Sequence, residues 1–190
     1  GVVWVFRHSM RNLNLRLAWM VGLAMLISAS LVYPYAAILV KTNRFNNFPT
    51  LDGSHYLNVA YAGDREAIEW LRQNVNGNPV VLEATGGEYT DFARVSTFAG
   101  LPTVLGWGGH ELQWRGNWDE PGKRIPDIDA LYGSTDLDQT RTLLDKYNIE
   151  YVFVGTLERQ KYPAPSLAKF GMLMNLVHDN PHGVQVFRRK

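Results

Sequence analysis

The strongest constraint on this chain is a long stretch without charge. From Leu17 to Val40 there are 24 consecutive residues with no Asp, Glu, Lys or Arg. As a helix this run is about 36 Å long, enough to cross a hydrocarbon core of about 30 Å with some tilt. Trp19 near one end and Tyr33 and Tyr35 toward the other suit the two bilayer interfaces. Pro34 would break a helix in water but is tolerated where neighbouring helices satisfy the freed backbone groups. The competing readings fit less well. A signal peptide has a shorter apolar core and a small-residue cleavage site. A buried helix of a soluble core rarely stays uncharged for so many turns, and an interfacial helix needs a polar face. Arg7, Arg11 and Arg16 precede the run, whereas Lys41 and Arg44 follow it. This small bias places the N-terminal side in the cytoplasm and the rest outside the cell membrane.

The remaining residues carry all the charge. The net value is +1, so there is no electrostatic case for a nucleic-acid partner. Cysteine is absent, which excludes disulfides and cysteine-based zinc sites. The chain opens at Gly1 and runs at once into apolar sequence, Val2 to Phe6, and so reads as a piece of a longer polytopic protein. The expected division is a membrane helix with its flanks over residues 1–44 and an extracytoplasmic domain over 45–190. The bilayer and the other transmembrane helices of the full-length protein are the first expected partners.

Beyond a polar connector, Thr42 to Gly53, helix and strand signals alternate. Asp64 is placed to cap a helix in which Ala67, Ile68 and Leu71 recur at helical spacing. Short apolar runs at Val80–Leu82, Thr103–Leu105, Tyr151–Val154 and Val184–Phe187 read as strands. Leu137–Tyr147 and Ser166–Val177 read as helices. The fold class is therefore α/β: one N-terminal transmembrane helix, then a soluble domain with a central, mostly parallel sheet flanked by helices. In such sheets ligands collect beyond the carboxyl ends of the strands.

Two segments at those ends carry the candidate chemistry. Glu83-Ala-Thr-Gly-Gly-Glu88-Tyr89 follows the first strand, and its glycines would let backbone N–H groups approach a phosphate. It lacks the dinucleotide and Walker spacings, and a plain glycine-rich turn is the simpler reading. Gly106 to Trp118 holds three of the six tryptophans, interleaved with His110, Glu111, Gln113 and Arg115. Aromatic rings beside hydrogen-bonding groups suit a sugar or a phosphate-linked headgroup, because the rings cover C–H faces while polar groups fix hydroxyls. Arg115 or Arg94 would hold a phosphate bidentately. The competing reading is a surface loop whose tryptophans plug the core or rest on the membrane or a neighbouring domain. His110-Glu111 has no second histidine at HExxH spacing, and His8, His55, His178 and His182 are scattered, so no metal site is expected. No GxSxG elbow occurs.

These residues carry a resemblance. Glu83-Ala-Thr-Gly, Tyr89-Thr90, Arg94-Val-Ser and Gly100-Leu-Pro-Thr-Val-Leu-Gly-Trp107-Gly-Gly-His-Glu-Leu-Gln-Trp114-Arg-Gly116 resemble the C-terminal part of the YYY-domain family of polytopic membrane proteins. Tyr151-Val-Phe-Val-Gly155, Glu158, Lys161-Tyr-Pro163 and Leu167-Ala-Lys-Phe170 extend it, so that it covers about residues 50–190. That family is similar to the GT-C glycosyltransferases, which use polyprenyl-phosphate sugars outside the cytoplasm. The resemblance implies a domain that binds a glycan acceptor or a lipid-linked sugar headgroup and needs no cofactor. It also implies a catalytic carboxylate upstream of Gly1, which leaves the catalytic residues unknown and the enzyme assignment of this chain open. The candidate ligand-facing set is Glu83, Glu88, Tyr89, Arg94, Trp107, His110, Glu111, Trp114 and Arg115. The alternative is a non-catalytic structural or partner-binding domain.

Overall fold

The computed structural model describes residues 13–46 and 49–190. Arg7, Arg11, His8 and the apolar start lie outside the described residues, as do Asn47 and Phe48 of the connector. Contacts divide the chain into two units, one up to Leu51 and one over Asp52–Lys190.

The first unit holds helix α1, Leu13–Lys41, 29 residues with Pro34 inside and none buried. At 1.5 Å per residue it is about 43 Å long. By length and composition it can cross a membrane. It begins before the uncharged run and ends on Lys41, where Thr42 Oγ1 donates to the Ile38 carbonyl at 2.7 Å.

The second unit opens with α2 (Tyr56–Ala60) and α3 (Ala62–Asn74), followed by strand β1 (Val80–Leu82). Helices α4 (Arg94–Ala99), α5 (Gly108–Arg115), α6 (Asp119–Gly133) and α7 (Leu137–Lys146) lead to β2 (Ile149–Val154). Helices α8 (Thr156–Lys161) and α9 (Ala164–Leu173) and strands β3 (Asn175–Asp179) and β4 (Gln185–Arg188) close the chain.

The sheet runs β1-β2-β4-β3. It is mixed rather than mostly parallel. β1 and β2 are parallel, with Leu82 opposite Val152, but β4 returns antiparallel to both β2 and β3. The reason is local: Asn180 to Val184 is a tight turn, with Asn180 N bonded to the Val184 carbonyl, and so short a link joins only antiparallel strands. The expected strand at Thr103–Leu105 reduces to one parallel bridge between Thr103 and Val81. The expected helix to Val177 ends at Leu173, and the chain goes directly into β3.

Helices cover both faces. Val152 and Val154 of β2 pack with Ile128, Leu131, Leu143, Leu144, Leu167 and Phe170, while Tyr151 and Phe153 pack with Leu57, Ala67, Ile68, Leu71 and Val95. This double burial explains why β2 is apolar at nearly every position rather than alternating.

Lys169 is a consequence of that packing. Its side chain is buried beneath α9, and Nζ donates to the Ser134 carbonyl at the end of α6. Burial pushes its ammonium down to about 8. In the unfolded chain the group keeps its ordinary, higher value. Between about pH 8 and 10 the unfolded state therefore binds the extra proton, and stability rises with pH. Urea titrations of the wild type and Lys169→Met over that range should show a stability difference that shifts in favour of the wild type as pH rises. A difference independent of pH would contradict this assignment.

Candidate functional site

The carboxyl ends of β1 and β2 converge on charge that is wholly out of water. Arg94, the first residue of α4, donates from Nε to Asp64 Oδ2 at 2.6 Å and from Nη2 to Glu158 Oε2 at 2.9 Å. All three side chains have no exposed surface. Each carboxylate also accepts backbone donors. Glu158 takes the N–H groups of Ala84 and Gly155, both at 3.0 Å, and Asp64 Oδ1 takes the N–H and the hydroxyl of Thr156, also at 3.0 Å. A Cβ at Gly155 would lie 2.6 Å from Asp64 Oδ1, so only glycine admits this approach. Burial opposes the Arg94 charge, but Glu158 and Asp64 outweigh it and hold the guanidinium protonated above its ordinary range. Glu83 is buried beside this cluster, where its two oxygens accept from Val95 N (2.8 Å) and Ser96 N (3.0 Å) and cap α4. Burial pushes its carboxyl up, and the same amides pull against that shift.

Two sequence expectations change here. Asp64 does not cap its own helix; it lies within α3, and its carboxylate reaches across to α4 and α8. Arg94 and Glu83 do not face a ligand. Their polar groups are committed internally, because a buried arginine or glutamate is tolerable only when fully paired.

The rest of the candidate set lies on the outside of this framework. The loop after β1 carries Glu88, whose Oε1 accepts from Gly109 N at 2.6 Å near the start of α5. Its own backbone N–H and that of Gly109 hold the Glu88 carboxyl below its usual range. A Cβ on Gly109 would fall 2.5 Å from Glu88 Oε1, so the glycine at 109 is what allows this contact. The next residue, Tyr89, adopts a left-handed backbone, φ 59°, and is 80% exposed. A bulky residue held in that conformation stores strain that the surrounding anchors must offset.

Tyr89 is held against two rings from the second segment. Its ring centroid is 5.4 Å from that of Trp107 and 5.2 Å from that of His110, and Trp107 and His110 meet edge-on at 5.0 Å. Trp107 Nε1 donates to the Phe92 carbonyl at 2.8 Å, which fixes the indole from the loop side. One helical turn on, Glu111 and Arg115 form an ion pair along α5, and Trp114 is 84% exposed. The structure thus brings Glu88, Tyr89, Trp107 and His110 together as an open platform and sends Glu83 and Arg94 inward.

Sequence reasoning missed the partners Asp64 and Glu158 as a pair. It also missed a groove of about 490 Å³ between α3 and β3, where Trp70 stacks on His178 at 5.4 Å among Asn58, Arg65, Glu66, Glu69 and Gln73. Among the described residues, no group of three or more His, Asp or Glu is placed to hold a metal ion.

No known family profile matches the chain, and no curated protein matches it. Among solved structures, it is similar to the C-terminal globular domain of an oligosaccharyltransferase from Archaeoglobus fulgidus, at 13% identity and a TM-score of 0.42. That match covers 67% of this chain and 97% of the other.

The two kinds of site residue should separate by mutation. Arg94→Met leaves two carboxylates buried and unpaired, and should cost about 3–5 kcal/mol in urea unfolding. Gly109→Ala displaces only the exposed Glu88 side chain and replaces a glycine inside α5 by a better helix former, so it should change stability little. An Arg94→Met loss below that of Gly109→Ala would refute the internal clamp.

Proposed function

We propose that this chain is the C-terminal end of a membrane-embedded, GT-C-like glycosyltransferase. Its globular domain would hold a glycan acceptor or a lipid-phosphate-linked sugar headgroup on the Tyr89–Trp107–His110 platform. One observation carries the reading. Three rings converge at 5.0–5.4 Å at the ends of the strands, and one of them is exposed on a strained backbone. Core packing does not require an 80% exposed tyrosine there. Rings that offer C–H contacts, with an imidazole and carboxylates alongside, match a sugar's alternation of apolar faces and hydroxyls. The resemblance of its ordered motifs to the YYY-domain family supports the same class.

Two experiments test the parts separately. The chain, purified in detergent, should bind an array printed with hexoses, N-acetylhexosamines and uronic acids. Tyr89→Ala and His110→Ala should each lose roughly tenfold in affinity, about 1.4 kcal/mol. Their melting temperatures should stay close to wild type, because neither residue belongs to a core cluster. Binding that survives both substitutions would leave the alternative, a structural or partner-binding domain.

The domain is proposed to lie outside the cytoplasm, with α1 in the cell membrane. The Arg7, Arg11 and Arg16 bias supports this side. The chain has no cysteine, so Asn76→Cys on the exposed turn after α3 provides a single thiol. It should react with an impermeant maleimide in intact cells. Labelling only after lysis would reverse the orientation.

A further inference from the structure

We infer that the platform does not end at His110 but continues along α5 to Trp114, and that its ligand is an extended saccharide of two or more rings rather than a single sugar. This rests on the saccharide reading of the Tyr89–Trp107–His110 platform. His110 and Trp114 are four residues apart on α5 and share one side of it, while Trp107, the residue before the helix, meets the His110 ring edge-on. At 1.5 Å per residue Trp114 lies about 6 Å beyond His110 along the helix axis, so the exposed rings reach past a single sugar seated at the three-ring site.

Trp114 has no packing role that explains it. It is 84% exposed and belongs to neither core cluster. With Leu112 and Trp118, 42% and 45% exposed in the same stretch, it forms exposed apolar surface of the kind that marks a binding site. The polar groups beside the rings decide what binds there. Arg115 is paired with Glu111, and Arg124 with Glu120, so the cations near the rings are neutralised by carboxylates on the same helices. A surface built to rest on anionic lipid carries unpaired Lys and Arg beside its aromatics. Here the rings are flanked by paired charges that present donors and acceptors with little net charge, as at a site that bonds hydroxyl groups. Glu111 follows His110 and Arg115 follows Trp114, so their ion pair runs alongside the two rings, where a second sugar would offer its hydroxyls.

The test uses the whole chain in detergent on an array printed with each sugar class as mono-, di- and tetrasaccharides, and on vesicles of phosphatidylcholine with phosphatidylglycerol. The wild type should hold tetrasaccharides about tenfold more tightly than the matching monosaccharide. Trp114→Ala should remove that length dependence while keeping monosaccharide binding, and Tyr89→Ala should lose both. Arg115→Gln, which spares the indole, should weaken only the longer ligands.

Equal wild-type affinity for mono- and tetrasaccharides would overturn the extended platform and leave the three-ring site standing. Binding to no saccharide at all would overturn both. If brominated lipid in these vesicles quenches the tryptophan fluorescence of the wild type more than that of Trp114→Ala, and the array pattern is unchanged, Trp114 is a membrane contact and the inference fails.

Discussion

The domain depends on one guanidinium shared by two carboxylates where no water reaches. Arg94, Asp64 and Glu158 come from three helices, and the backbone groups they bind begin at the ends of two parallel strands. Moving three charges out of water is expensive, and the cost is offset only because the hydrogen bonding is nearly complete. Such a cluster tolerates little displacement. It therefore sets where β1, β2, α3, α4 and α8 stand relative to one another, and with them where the loop after β1 leaves the sheet.

That loop presents the aromatic platform. Glu83 anchors its root to α4, and Glu88 anchors its tip to the start of α5. Tyr89 directly follows the second anchor, and its left-handed backbone sets the ring against Trp107 and His110. Preorganisation of this kind reduces the entropy a ligand must overcome. The carboxyl ends of the strands thus serve two roles: the inner positions are filled by a structural ion cluster, and the outer ones are left to rings and hydrogen-bonding groups.

The sequence made some of this legible and hid the rest for physical reasons. β2 was readable because burial on both faces leaves a continuous apolar run, Tyr151–Val154. The edge strand β3 was not, since Asn175-Leu-Val-His-Asp179 has one open edge and mixed polarity, which resembles the end of the preceding helix. Helix α6 was hidden by Pro121, Gly122 and Pro126, which signal breaks locally, although Ile128, Leu131 and Tyr132 bury one side of it against the sheet. In the candidate site, the two segments that bring Tyr89 to His110 were legible because each follows an apolar run that reads as a strand, although the second run forms only a bridge. The inward turn of Arg94 could not be read, because nothing in Asp91-Phe-Ala-Arg94 distinguishes a solvated arginine from a buried one. Its partners lie 30 and 64 residues away.

Hydrogen exchange measures the central dependence most directly. The amides of Ala84, Gly155, Thr156, Val95 and Ser96 donate to buried carboxylates rather than to a ladder or helix partner. If the ion cluster holds the framework, these amides at strand ends and helix starts exchange only through global unfolding and rank with Val152 and Phe153 of β2 in protection. Exchange at the pace of the exposed Thr90 would contradict the account, because the strand ends would then open locally without the rest of the domain.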